Sequence, residues 1–292
     1  MNGFVVLDKP AGVTSFKAAA PLRRLFREKK VGHTGTLDPM ATGVLPVALG
    51  KAARFIDYLP ESGKAYVARF RFGITTDTLD ITGTVISESP SAVTESEVLT
   101  LLPRFTGEIT QVPPMYSAVS VNGQRLYELA RRGIEVERQE RRVTIDSLEL
   151  TGVYGDEFEI AVSCSKGTYI RTLIADMGEA LGCGAVMTAL KRTRANGFSI
   201  DDALTPDQVE TLGEKAVLPM DHPFRCYAEI HVTEAQANRF RNGGGLFTQR
   251  LKGEPPAGTY RVYAPDGLFL GLGRVPMEDS QTLSALKVIG NE

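Results

Sequence analysis

The chain has 292 residues, of which 42% are hydrophobic and 23% are charged, enough for one large domain with a smaller one beside it. No apolar run reaches the ~18 residues that a membrane-spanning helix needs, and the start of the chain lacks the features of a signal peptide, so we expect a cytoplasmic protein. The formal net charge of −2 argues mildly against nucleic-acid binding.

The basic residues are nevertheless clustered, while acidic residues gather elsewhere. The clusters are Arg23, Arg24, Arg27, Lys29 and Lys30; Arg125, Arg131, Arg132, Arg138, Arg141 and Arg142; and Lys191, Arg192 and Arg194. They fit a cationic face on a nearly neutral protein, although each could equally be a solvated helix face. The three cysteines and three histidines show no ligand spacing, so we expect no metal site.

In chain order, the first predicted elements are a strand at Gly3–Lys9 and a helix from Thr14 or Ser15 to about residue 26, with Pro21 inside it. A glycine-rich loop follows over residues 32–43. Alternating polar and apolar residues predict a strand at Lys64–Phe72. A capping box of Thr94 and Glu97 predicts a helix over residues 96–103.

The second half continues with a strand at 119–122, a helix at 126–132, an antiparallel pair at 143–153 and 158–164, and an amphipathic helix at 168–181. Strands at 186–190 and 198–200 and a helix opened by Pro206 complete this part. Because no regular βαβ period occurs, we predict an α+β fold with a mixed, mostly antiparallel sheet and flanking helices.

Residues 219–223 are rich in proline and resemble a linker, and the remaining part is glycine-rich and prone to form strands. We therefore predict a first domain at residues 1–225 and a small β-rich domain at residues 226–292.

The segment most informative about function is the loop around Asp38, which places a carboxylate between a glycine-containing turn and Pro39. Such a loop can hold a poorly solvated carboxylate at a pocket wall, but it can also be a structural turn in which Asp38 caps a helix. Residues 34–37 are also similar to the phosphorylation loop of cation-pumping ATPases. In those proteins the position that matches Gly32 is the nucleophilic aspartate. Because this chain has glycine there, and no membrane helix is predicted, we exclude that class.

The loop sequence GHTGTLDPMATGVLP, at residues 32–46, resembles the signature of the TruB family of tRNA pseudouridine synthases. Further matches follow in family order: LDKPAG at 7–12, KAY at 64–66, TDT at 76–78 with Asp80 and Gly83, VPPMYSA at 112–118, GQRLY at 123–127, SKGTYIR at 165–171 and LKRT at 190–193. The resemblance covers about residues 3–225, and the tail is similar to the family's PUA-type RNA-binding module.

The resemblance implies that Asp38 is the catalytic carboxylate and that the positive charge of Arg171 keeps it ionised. It also implies that Tyr66 lies against the target base and that Tyr169 and Leu190 line the uracil pocket. On spacing alone, Arg171 would be read as a helix-surface arginine and Tyr66 as a core residue.

The resemblance further implies that His33 fills the space left by an everted nucleotide and that Lys191 and Arg192 contact phosphates. The expected reaction is isomerisation of uridine at position 55 in the T-loop of tRNA. It needs no cofactor, because it involves neither redox change nor group transfer. The expected partner is the tRNA T-arm, bound by a monomer without a protein partner.

Two alternatives stay open at this point. One is an RNA-binding or tRNA-folding protein with secondary isomerase activity, although binding alone requires no set of Asp38, Tyr66 and Arg171. The other is a guide-RNA-dependent relative of the same family, against which the compact chain without basic tails argues.

Overall fold

The computed structural model describes residues 1–60, 63–121, 123–278 and 281–290. The described residues form the strands β1 (Gly3–Lys9), β2 (Val31–His33), β3 (Thr42–Leu49), β4 (Lys64–Phe72), β5 (Ile74–Thr76), β6 (Val85–Glu88), β7 (Gly107–Gln111), β8 (Ser120–Val121), β9 (Gln124–Arg125), β10 (Arg141–Tyr154), β11 (Glu157–Cys164), β12 (Ala185–Ala195), β13 (Phe198–Ser199), β14 (Ala228–His231), β15 (Leu246–Phe247), β16 (Gly258–Tyr263), β17 (Phe269–Val275) and β18 (Thr282–Val288).

The helices are α1 (Ser15–Ala19), α2 (Pro21–Leu25), α3 (Glu95–Leu101), α4 (Leu126–Arg131), α5 (Ile170–Ala180), α6 (Pro206–Leu212) and α7 (Glu234–Arg241). Short 3₁₀ helices occur at Gly50–Tyr58, Leu102–Phe105, Ile200–Asp202, Gly213–Ala216, His222–Phe224 and Thr248–Arg250. In the described ranges, no helix is both long enough and apolar enough to cross a membrane.

A nine-stranded sheet forms the larger part of the molecule, in the order β1-β3-β12-β4-β11-β10-β7, with β2 paired to β3 and β13 to β12. The pairing is antiparallel except between β3 and β12, which run parallel at Thr42 and Gly43 opposite Lys191 and Arg192. At this crossing, a Cβ on Gly43 would lie 2.2 Å from the carbonyl oxygen of Arg192, and its φ is +96°. Only glycine lets the two strands approach so closely just after the Asp38 loop.

A second, five-stranded sheet has the order β14-β16-β17-β18-β15 and comes from residues 228–288. Aromatic side chains from both parts of the chain meet in one buried cluster, which includes Phe4, Phe55 and Phe224 from the first part and Tyr263 and Phe269 from the second. The predicted fold class, α+β with a mostly antiparallel sheet and a β-rich C-terminal part, is confirmed.

Several predicted elements are confirmed with small shifts in their ends, among them β1, β4, the β10–β11 pair and α5. The single helix predicted to residue 26 is wrong, because the chain forms two short helices that meet at Pro21. Pro21 lacks an N–H and therefore occupies the first turn of α2, where no N–H donor is needed. Strand β3 is missing from the prediction, since its glycine and Pro46 are unusual in a central strand.

The segment predicted as a linker is packed against the first part of the chain. His222 is buried, stacks on Phe198 with ring centroids 5.6 Å apart, and places its Nε2 3.1 Å from Asp202 Oδ1. The division of the chain at residue 225 stays a prediction. Of the strand predicted at 119–122, Ser120–Val121 is a strand, and Asn122 lies outside the described residues.

Candidate active site

Asp38 and Arg171 form a two-pronged ion pair beside residues of β4 and β12, two interior strands of the main sheet. Arg171 Nε lies 2.9 Å from Asp38 Oδ2, and Arg171 Nη2 donates to Asp38 Oδ1 at 3.2 Å. The arginine side chain is 5% exposed and the aspartate side chain 32%. Burial raises the pKa of the Asp38 carboxyl, and the Arg171 guanidinium acts against that rise. Both carboxyl oxygens accept from one guanidinium, which is the geometry of an ionised carboxylate.

The remaining donors of Arg171 fix the guanidinium in place. Arg171 lies in the first turn of α5, and its Nη1 and Nη2 donate to the backbone carbonyls of Thr78 and Tyr116, each at 2.9 Å. Asp80 Oδ2 lies 3.8 Å from Nη1 and adds a second negative charge. Because its partners come from distant parts of the chain, Arg171 can hardly shift without disturbing the fold.

The backbone on both sides of Asp38 is held by hydrogen bonds from N-terminal residues. Ser15 Oγ accepts from Leu37 N at 2.8 Å and donates to Leu37 O at 3.1 Å. Lys9 is fully buried, and its Nζ donates to the carbonyls of Pro10, Val13 and Pro39. Burial lowers the pKa of Lys9 to about 8, against the opposing effect of Asp38, so Lys9 is still a cation at neutral pH. The Asp38 backbone is thus fixed independently of its side chain.

Arg192 holds the backbone of the same loop at residues on both sides of Asp38. It is 1% exposed and donates to the carbonyls of Val44, Gly35 and Thr36 at 2.8, 3.1 and 3.4 Å. The predicted phosphate contact of Arg192 does not agree with this placement, because its donors face the protein interior. Arg192 is better described as a positioning residue for the loop that carries Asp38.

A cavity of about 190 Å³ opens beside the Asp38–Arg171 pair. Its lining includes Asp38, Tyr66, Tyr169, Arg171 and Leu190, so the structure brings these predicted site residues together. A cavity of about 150 Å³ holds benzene in another protein, so this one is of a size for a single six-membered ring. An ionised carboxylate at its edge can act on a group attached to that ring.

Tyr66 and Tyr169 are fixed in different ways. Burial raises the pKa of the Tyr66 hydroxyl to about 12, although the nearby guanidinium of Arg192 acts in the opposite direction. Tyr66 is therefore neutral and its hydroxyl can donate. The backbone of Tyr169 is held by the buried side chain of Gln111, which accepts from Tyr169 N at 3.0 Å and donates to Tyr169 O at 3.2 Å.

His33 and Lys191 lie outside the lining of this cavity. His33 lines a neighbouring depression with Phe16 and Arg23. Burial lowers the pKa of His33, and the charge of Arg192 lowers it further, so the neutral imidazole is favoured. Lys191 is exposed and lines a larger cavity of about 700 Å³, whose lining also includes Leu190. Both are close in sequence to the site without contacting Asp38.

Some residues of the site have no role in the sequence-based prediction. Lys9, Lys64 and Asp80 stand in the quoted motifs but have no assigned function there, and Gln111 lies outside those motifs. Strand alternation could have indicated the burial of Arg192, because residues two apart share a face and Leu190 is buried. Among the residues that the structure describes, no group of three or more His, Cys, Asp or Glu side chains is placed to hold a metal ion.

Comparisons with known proteins agree with the resemblance in the loop. Family models match as "TruB family pseudouridylate synthase (N terminal domain)" at residues 23–170, "tRNA pseudouridylate synthase B C-terminal domain" at 171–224 and "Pseudouridine synthase II TruB, C-terminal" at 228–280.

Among relatives, tRNA pseudouridine synthase B of Clostridium perfringens is 46% identical over 94% of this chain and 95% of its own length. The protein of the same name from Aromatoleum aromaticum is 45% identical over 99% and 93%. Among solved structures, a chain of a Cbf5-Nop10-Gar1 complex superposes with a TM-score of 0.76 at 27% identity, covering 98% of this chain and 84% of that one.

Proposed function

The chain belongs to the TruB family of pseudouridine synthases and isomerises uridine to pseudouridine in tRNA, and we propose that its target is the uridine at position 55 in the T-loop. The observation that carries the proposed mechanism is the Asp38–Arg171 pair at the edge of a ring-sized cavity lined by Tyr66. An RNA-binding role alone would not need this combination.

The reaction breaks the N1–C1′ bond of the nucleotide, turns the base and joins C5 to C1′. One proton leaves C5 and one is gained at N1, so atoms and electrons balance within the nucleotide. What the protein has to supply is a charged group at the sugar, a pocket that holds the base while it turns, and a place for the proton.

Asp38 is the group that meets the sugar. Its carboxylate either attacks C1′ or removes a proton from the ribose, and both routes require the ionised form. Arg171 favours that form, while the partial burial of Asp38 limits solvation of the reacting centre. Both routes therefore predict that activity is lost as the pH falls through the pKa of Asp38.

The base has to leave the folded T-loop before it reaches the cavity, at a cost of about a few kcal/mol. Tyr66 would contact the everted base, and Leu190 and Tyr169 would enclose it. His33 would stack in the vacated position, and its neutral ring suits that role. Lys191 would contact the RNA backbone from its exposed position beside the larger cavity.

The two parts of the chain would divide the work. Residues 1–225 would form the catalytic domain, and residues 226–292 would form a PUA-like RNA-binding domain. We propose that the enzyme acts in the cytoplasm as a monomer on the T-arm, without a protein partner or a guide RNA.

One assay tests the proposed function directly. Purified protein is incubated with a T-stem-loop RNA, without additives, and pseudouridine is mapped along the product. We expect a single modified position, and no product from an RNA in which that uridine is replaced by cytidine. Modification elsewhere would contradict the proposed target, and a requirement for a second RNA would contradict stand-alone action.

A further inference from the structure

Lys64 is a charged residue of the same cavity to which the mechanism above gives no task. It is the first residue of β4 and stands two positions before Tyr66, so both side chains leave the same face of the strand. Lys64 lines the cavity together with Thr36, Gly167 and Thr168. Its Nζ lies 3.9 Å from the position that a Cβ on Gly35 would occupy, next to the start of the Asp38 loop.

The carboxylate that lines the same cavity, Asp38, pairs with Arg171 and not with Lys64. The side chain is half-buried, and among the residues that the structure describes its ammonium forms no hydrogen bond or ion pair. The nearby guanidinium of Arg192 repels it, and the thiol of Cys164 is neutral because burial raises its pKa to about 11. Burial lowers the pKa of Lys64, and the charge of Arg192 lowers it further by a smaller amount.

A partly desolvated cation beside a second cation is unfavourable until an anion joins it. The cavity is built to receive one nucleotide, and the anionic parts of a nucleotide in RNA are its flanking phosphates. A lysine ammonium is a compact point charge with three donors, which suits a phosphate oxygen and gives no base specificity.

We propose that Lys64 binds a phosphate group that flanks the everted uridine, and so holds the sugar of that nucleotide against Asp38. This role rests on the proposed function of the cavity. Asp38 contacts the reacting atoms, whereas Lys64 is a positioning residue that acts on the backbone beside them. The contact forms only after the nucleotide has left the T-loop.

The test combines protein and RNA changes in a cycle. Lys64→Met and Lys64→Arg are compared with the wild type and with Lys215→Met, a change at an exposed lysine outside the cavity lining. Each protein is titrated with a T-stem-loop RNA and with RNAs that carry one neutral methylphosphonate, 5′ or 3′ of the target. The ribose on the 5′ side of each methylphosphonate carries a 2′-O-methyl group, because a free 2′-hydroxyl there would cleave the strand. The reference RNA without a methylphosphonate carries the same 2′-O-methyl groups.

We expect Lys64→Met to weaken Kd by about ten-fold to a hundred-fold, the range of hydrogen bonds to charged groups. Lys64→Arg should retain most of the affinity, and Lys215→Met should match the wild type. One of the two methylphosphonates should weaken the wild type by a similar factor and have no further effect on Lys64→Met. Thermal unfolding of the variants checks that the fold is kept.

An unchanged Kd for Lys64→Met would overturn the proposal. So would methylphosphonate effects that are as large in Lys64→Met as in the wild type, because Lys64 would then contact the base or nothing. Failure of the proposed function is distinguishable, since it appears as a wild type that forms no pseudouridine, whatever the binding cycle shows.

Discussion

The guanidinium of Arg192 lies beside the hydroxyl of Tyr66 and beneath the loop that carries Asp38, so that one buried side chain touches both walls of the cavity. Strands β4 and β12 bring the two residues together, since Tyr66 and Arg192 are partners in their register. The loop that carries Asp38 and strand β4 are therefore joined through a residue that is almost completely buried.

Replacing Arg192 by methionine should destabilise the protein and slow the reaction. The carbonyls of Gly35, Thr36 and Val44 would lose their donor, and each unpaired buried group costs roughly 1–3 kcal/mol. We expect the free energy of unfolding to fall by at least about 2 kcal/mol, measured by urea denaturation. The matched control is Lys191→Met, whose exposed side chain should change stability by less than about 0.5 kcal/mol. Equal stability of the two variants would show that the loop is held by other contacts.

Asp38→Asn should abolish pseudouridine formation while tRNA binding largely survives. The amide has nearly the same size as the carboxylate but cannot carry the negative charge that both proposed routes require. We expect kcat to fall by more than about a hundred-fold, with Kd for the T-stem-loop within about three-fold of wild type. Asp156→Asn, at an aspartate whose side chain is 74% exposed, serves as the control. Substantial turnover by Asp38→Asn would contradict the mechanism.

Local sequence patterns predicted much of the fold but little of the site's three-dimensional arrangement. The alternation in β4 and the periodicity in α5 give each element one buried face, and this pattern is visible without the structure. Asp38 and Arg171 are far apart in the chain, and no local pattern indicates that they pair; their predicted relation came from the family resemblance. Arg192 shows the opposite case: its basic cluster suggests a phosphate contact, but β12 continues past residue 190 and its alternation turns Arg192 inward.

Arg171→Ala should impair catalysis more than binding and should shift the pH dependence. Without the guanidinium, burial and Asp80 would raise the pKa of Asp38 further. Because activity requires ionised Asp38, the acid limb of the kcat profile should move to higher pH, and kcat at neutral pH should fall by about a hundred-fold. Circular dichroism verifies folding, and Arg171→Lys should show a smaller shift. Equal losses in kcat and Kd, with an unmoved acid limb, would indicate a merely architectural arginine.

Affinity for the T-arm should fall as salt is added, because phosphate contacts release counterions. Measured over about 50–200 mM salt, a plot of log K against log salt concentration should be a straight line of negative slope. Lys191→Ala should reduce the slope by about one unit and leave kcat nearly unchanged, as expected for a residue that contacts one phosphate. The exposed Lys215 provides the control as Lys215→Ala, which should retain the wild-type slope. A Kd that does not depend on salt would refute the phosphate contact.

His222 should make the stability of the protein depend on pH in the mildly acidic range. Burial lowers its pKa in the folded state, and the nearby Asp202 acts against that shift. Below about pH 6.5, the unfolded chain therefore binds a proton that the folded chain does not, and the free energy of unfolding falls as the pH is lowered. The slope for one proton is at most about 1.4 kcal/mol per pH unit, and it ends once folded His222 is protonated too.

The measurement is urea denaturation between pH 5 and pH 8 of the wild type, His222→Gln and His231→Gln. His222→Gln should lose this part of the pH dependence, since glutamine does not titrate, although it should also lose the stacking on Phe198. His231→Gln changes a histidine whose side chain is 59% exposed and should follow the wild-type curve. Parallel curves for all three proteins would mean that His222 titrates as it does in the unfolded chain. The segment joining the two sheets would then be less tightly packed than its contacts with Phe198 and Asp202 indicate.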